Sequence, residues 1–231
     1  MSEYANKNSM LYWFPKAQYI VNTPKTIFLE LEDTNDGYKG CPKKWDKERI
    51  EEISNYLGLP MFVRTDQASN KHYMEDSSYI PNLDVVDEHI SELLFFNEMA
   101  GLMGLPYKQL VFREWLDIEH KFKAFKGTPI GKELRFFIKD NDVQCYHYYW
   151  PEKAIKFFGD TKKPDNWKEL LKSTREETLL ASDEPIMMAD EIANQFDGYW
   201  SVDFAIDTDG NWYMIDMAKG DESWHPECNK K

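Results

Sequence analysis

An α+β fold built on antiparallel sheets is what this sequence predicts, and three observations predict it. Short strand-like runs are interleaved with amphipathic helical stretches. In the second half, consecutive strand-like runs are separated by tight polar turns. No regular strand–helix–strand alternation and no internal repeat run along the chain. The 231 residues, 42% hydrophobic and 15% aromatic, suffice for one large domain or two lobes.

Taken in order, "TIFLEL" (26–31) reads as a strand. "DKERIEEISNYLG" reads as a helix capped by Asp46, with Ile50, Ile53 and Leu57 on one face and Gly58 as its stop. "MFVRT" is a short strand entering the polar loop "DQASNKH". The apolar spacing of 83–102 predicts a helix ending near Gly101 and Gly104. "LVFREWL" (110–116) is strand-like, and "EHKFKAFKGTPIGK" reads as a basic, glycine-containing loop. "ELRFFI" and "VQCYHYYW" read as strands joined by the turn "KDND". Helices follow in "NWKELLKSTREETLLAS" and "PIMMADEIANQF", the second with proline near its start. A hairpin, "YWSVDFAI" and "WYMIDM" joined through "DTDGN", closes the fold, and "DESWHPECNKK" reads as a surface tail.

The formal charge of −13 disfavours a general nucleic-acid surface, which needs lysine and arginine against phosphates. A local basic pocket for a small polyphosphate remains compatible with it. Three widely spaced cysteines, Cys41, Cys145 and Cys228, form no CxxC pair, which suggests a reducing compartment without a zinc site. With no apolar leader and no run of about 20 apolar residues, a cytoplasmic protein without membrane contact is expected. The histidines at 72, 89, 120, 147 and 225 lack metal-ligand spacing and read as structural or surface residues.

Four places break the local hydrophobic pattern. Arg64 interrupts "MFVRT", Arg113 and Glu114 follow three apolar residues, and Glu133 and Arg135 share one strand face. Asp203 and Asp216 sit inside the two strands of the last hairpin. If Asp209-Gly210 is a two-residue loop, counting back places Asp203 directly opposite Asp216. Like charges so placed repel, so a cation between them is expected. Two facing carboxylates suit Mg²⁺, and separated arginines and lysines suit phosphates, which together point to a nucleoside triphosphate.

The order of "TPKTIFLEL", "MFVRTDQASNK", "LVFREWLDI", "GKELRFFI" and "SVDFAIDTDGNWYMIDM", covering most of residues 23–220, resembles the ATP-grasp superfamily. Arginine at 64, where many members have lysine, resembles a small clade of short bacterial and phage proteins. That clade also includes a cell-division-cycle protein that chaperones assembly of a translation factor. The resemblance implies an ATP-grasp fold in which two α+β lobes with antiparallel sheets enclose a nucleotide. The lobes would be residues 23–109 and 110–220, with an extension at 1–22 and a tail at 221–231. The domain that precedes this region in larger ligases is not evident in the 22 residues ahead of it.

The resemblance further implies that Arg64 and Lys71 contact the triphosphate and that Glu114, Trp115 and Leu116 hold adenine, with Asp117 near the ribose. Glu133 would line the nucleotide site, Arg135 would meet the γ-phosphate, and Asp203 with Asp216 would hold Mg²⁺. Lys219 is a second catalytic candidate beside Arg135. The implied activity is ligation of a carboxylate, activated as an acyl phosphate, to an amine or related nucleophile, with a peptide or protein among the candidate substrates. The alternative is an ATP-binding assembly factor that ligates nothing. Ala218 stands where the family usually carries asparagine, which favours that alternative.

Overall fold

A computed structural model describes residues 6–33, 43–101, 106–158, 163–226 and 229–230. It comprises two units, Pro24–Leu116 with Lys126–Thr128, and the remainder.

In the first unit, β1 (Thr26–Glu30), β2 (Glu32–Asp33) and β3 (Lys43–Lys44) precede helix α2 (Lys47–Leu57), which follows helix α1 of the other unit (Met10–Ala17) in chain order. Strands β4 (Met61–Thr65) and β5 (Tyr79–Ile80), helix α3 (Val86–Gly101) and strand β6 (Gln109–Glu114) complete it. The four-stranded antiparallel sheet runs β1-β6-β4-β5. Helix α2 starts as the sequence dictates, with Asp46 Oδ1 accepting from the Arg49 N–H at 3.1 Å, and it stops at Gly58, whose φ is 83°. Its apolar face, Ile50, Ile53 and Leu57, joins Ile90, Leu93 and Leu94 of α3 over Val63, Leu110 and Phe112 of the sheet. The lobe boundary expected at 109/110 falls after Leu116 instead, because β6 is the strand between β1 and β4.

The second unit holds α1, β7 (His120–Ala124), most of β8 (Thr128–Gly131), β9 (Glu133–Lys139), β10 (Asp142–Tyr148), α4 (Glu152–Phe158), α5 (Trp167–Leu180), α6 (Asp183–Ala193), β11 (Tyr199–Ile206), β12 (Trp212–Lys219) and β13 (Asn229–Lys230). Its five-stranded sheet runs β12-β11-β9-β10-β13. Helix α6 packs on β9 and β10, and α5 on β7 and β10.

Three expectations change. The stretch expected as a basic loop is the β7–β8 hairpin: "HKFKA" alternates polar with buried Phe122 and Ala124, a period-2 pattern its lysines mask. The expected surface tail is tied down: β13 pairs with β10, and His225 stacks on Phe137 with ring centroids 3.6 Å apart. The extension at 1–22 contributes helix α1, whose Trp13 and Met10 are buried. Cys145 is disulfide-bonded, so the cysteine count does not carry a reducing compartment; Cys41 and Cys228 lie outside the described residues, as does Gly104. Among the described residues no helix is long and apolar enough to cross a membrane.

Candidate functional site

The closing hairpin pairs Asp203 with Asp216, as the count from the turn implies, but by a different route. The Asp207 N–H donates to Asn211 O at 3.0 Å, so the loop is the three residues Thr208–Gly210, with Gly210 at φ 86°. That alone would set Asp203 against Ile215. A bulge at Ile215, between the pairs Phe204↔Met214 and Asp203↔Asp216, restores the acidic pair.

Registry then builds a row across one face of four strands. Asp203 pairs with Asp216 on one side and with Arg135 on the other, and Arg135 pairs with His147. The Arg135 fork grips both oxygens of Asp203, Nε to Oδ1 and Nη2 to Oδ2, each at 2.7 Å. The counter-charge of Asp203 is therefore Arg135, where a metal ion was expected to balance both aspartates. Burial alone would lower the affinity of Arg135 for its proton; the Asp203 carboxylate outweighs it, so the guanidinium holds its proton more tightly than usual. The Tyr149 ring lies 4.7 Å from the guanidinium carbon. Asp216 is half-buried, and its Oδ1 accepts from the Met217 N–H at 3.0 Å.

Sequence reasoning set His147 aside as structural or surface, and a second bulge explains why. A regular ladder from the turn at Asp140-Asn141 would bring Tyr146 to Arg135; the register shift between Val143 and Cys145 brings His147 there. Its Nδ1 lies 2.8 Å from the Tyr148 carbonyl, and only the protonated nitrogen can donate to that oxygen, which leaves Nε2 as the acceptor. Burial, followed by the charge of Arg135, lowers the His147 pKa below 6.5 against the raising effects of the Tyr148 carbonyl and Asp203.

Glu133, two residues before Arg135, is buried and accepts from Trp150 Nε1 at 2.8 Å. Lys219 does not join the row. Strand alternation gives it the face of Met217 and Val202, and its Nζ pairs with Glu222 at 2.8 Å. Asp117 is exposed and accepts at its carbonyl from the Thr208 N–H.

The other sequence candidates belong to the first unit. Arg64 is buried in β4 and donates to the carbonyls of Thr65 and Gln67 at 3.1 and 3.4 Å. Lys71 opens a short 3₁₀ turn, Lys71–Asp76, and its carbonyl accepts from the Thr128 hydroxyl. Glu114 accepts from the Lys25 N–H at 2.8 Å, and Trp115 packs edge-on against Tyr79. Leu116 is half-buried.

The donor set fits Mg²⁺ in part. Asp203 and Asp216 offer adjacent hard oxygens, and each Asp203 oxygen keeps a lone pair beyond the one Arg135 uses. No third histidine, cysteine or carboxylate converges on them among the described residues. The other positions of such an ion would fall to phosphate oxygens and water.

Among solved structures, the chain is similar in fold to Cdc123 from Schizosaccharomyces pombe, at 14% identity and TM-score 0.57, covering 92% of this chain and 83% of that one. It also matches the ATP-grasp ligase PsnB complexed with minimal precursor (12% identity, TM-score 0.46) and a carboxyaminoimidazole ribonucleotide synthase from Aspergillus clavatus complexed with ATP (10%, 0.49). These matches cover 93% and 91% of this chain and 52% and 44% of those. No curated protein matches the chain in sequence. The model of an ATP-grasp domain family, the third of its clade, matches residues 56–231, and the chain belongs to that ATP-grasp family.

Proposed function

We propose that this protein is an ATP- and Mg²⁺-dependent ligase that joins a carboxylate to an amine. The row Asp216–Asp203–Arg135 is the observation that carries this reading: a buried guanidinium, locked by a fork onto one of two facing carboxylates, is a preorganised site for a transferring phosphoryl group. The substrate carboxylate attacks the γ-phosphorus, and the bond to the bridging oxygen breaks with its electron pair leaving on ADP. The amine then attacks the acyl carbon, and inorganic phosphate departs with the electrons of the C–O bond and the amine's proton. Asp203 and Asp216 would hold Mg²⁺, which when bound offsets charge on the phosphate oxygens. Arg135 meets the γ-phosphate, Glu133 lines the nucleotide site, Arg64 and Lys71 meet the other phosphates, and Glu114, Trp115 and Leu116 take adenine with Asp117 at the ribose. Lys219, on the far face of β12, keeps no catalytic part.

The test is calorimetry with ATP and Mg²⁺, followed by an ADP-release screen over amino acids and peptides. Folded protein that binds no ATP with or without Mg²⁺ refutes the reading. A second reading, an assembly factor that holds ATP–Mg²⁺ without ligation, is favoured by Ala218. Its methyl group, opposite Ser201, offers no oxygen for a second metal ion.

A further inference from the structure

The row ends at His147, and His147 also lines a cavity of about 750 Å³ in the second unit. This side chain is 6% exposed, and its Nε2 has no hydrogen-bond partner among the described residues. A buried acceptor without a donor marks a position for one. Trp150 and Leu171 form buried apolar walls, and Trp224, half exposed, packs edge-on against the His147 ring at 5.3 Å. On α5, Lys168, Lys172 and Arg175 fall at i, i+4 and i+7, one stripe along the cavity. Lys168 reaches Glu152 at 3.8 Å and Lys172 reaches Glu176 at 3.9 Å, both between exposed groups. No carboxylate among the described residues pairs with Arg175. In a chain of net charge −13, this local excess of cations selects an anion.

We propose that this cavity receives the amine-bearing substrate of the ligation, a short acidic peptide whose terminal amine donates to His147 Nε2 and whose carboxylates meet Lys172 and Arg175. The volume exceeds that of a single amino acid and suits a few residues. The pairing His147↔Arg135 sets the amine beside the guanidinium assigned to the γ-phosphate. Burial and the charge of Arg135 keep the imidazole neutral, and therefore an acceptor. This assignment rests on the ligase reading for its purpose but not for its test.

The tripeptide Gly-Glu-Glu is titrated into the full chain without nucleotide. Binding is followed by calorimetry and by the imidazole ¹⁵N resonances of histidine-labelled protein, with His147 assigned through His147→Gln. The peptide should move the His147 resonance. The exposed double variant Lys172→Ala/Arg175→Ala, and N-acetylation of the peptide, should each weaken binding roughly tenfold or more. An unmoved His147 resonance at saturation, equal binding of the acetylated peptide, or equal binding by the double variant overturns the proposal. Because nucleotide is absent, failure here leaves the ATP reading standing, and failure to bind ATP leaves this result standing.

Discussion

Replacing Asp203 and Asp216 one at a time by asparagine separates two electrostatic roles that look alike in sequence. Both changes remove one of two facing negative charges. Asp203, however, is 5% exposed at its side chain and is the partner of an Arg135 side chain that is 15% exposed. Removing one partner of a buried ion pair strands the other, at about 3–5 kcal/mol. An amide oxygen still accepts one of the two guanidinium bonds, so about 2–3 kcal/mol is expected for Asp203→Asn. At about 2–4 °C per kcal/mol for a chain of this size, the melting temperature should fall by about 4–12 °C. Asp216 has no such fork, and the amide introduced by Asp216→Asn would keep an oxygen for the Met217 N–H. Relief of cross-strand repulsion, roughly 0.2–1 kcal/mol, should leave Asp216→Asn unchanged or raise its melting temperature by up to about 4 °C. Thermal melts of both variants, without nucleotide, read the difference. Equal shifts in the two, or an Asp203→Asn that melts like the parent, refute the argument that Arg135 is the counter-charge.

Under the proposed function, both asparagine variants should also lose Mg²⁺-dependent stabilisation by ATP, and Arg135→Ala should weaken ATP more than ADP; calorimetry with each nucleotide checks this. His147 has a pKa lowered from 6.5, so the unfolded chain binds the extra proton first and stability is lost as pH falls through and below about 6.5. Arg135, Asp203, His225 and the Tyr148 carbonyl face the ring, and only the imidazole itself disappears in His147→Gln, so the variant should melt with a shallower pH dependence between about pH 5 and 7.5. Trp150→Phe removes the donor to the buried Glu133 carboxylate and should cost about 1–3 kcal/mol by urea denaturation. Gly127→Ala, at φ 83° with a Cβ position 2.3 Å from Glu75 Cγ, should cost about 1 kcal/mol or more in the same assay.

Local patterns carried a large part of this fold. Asp46 and Gly58 bound α2 because a cap and a left-handed stop act within a few residues, and "MFVRT" and "ELRFFI" are strands because apolar runs of that length have few other uses. What was lost lay in non-local or masked signals. The alternation of "HKFKA" hid behind its lysines. "EKAIKFF" is too short for its period to stand out, yet it forms α4. Helix α1 carries Pro15, which argues against a helix until tertiary packing of Trp13 overrides it. At the site, the acidic pair was legible because two errors cancelled, a longer loop and a bulge. His147 was not legible, because one unpaired residue in β10 changes which side chain meets Arg135. The Arg135–Asp203 pairing was open to the same counting but needed the order of strands, which no local pattern contains.

The two bulges make these strands unequal before the genetic code. Strand β10 carries one residue more than its ladder with β9 requires, and β12 one more than its ladder with β11. An in-frame loss of the codon for Gln144 or Ile215 removes slack and leaves His147, Arg135, Asp203 and Asp216 in register. A gained codon at either place has no slack to consume. It must widen a bulge already present or turn the rest of the strand over, carrying the imidazole or the carboxylate to the wrong face. Drift in the length of this chain is thus free to run one way only at these two positions, and shortened strands with an intact row are the descendants this architecture permits.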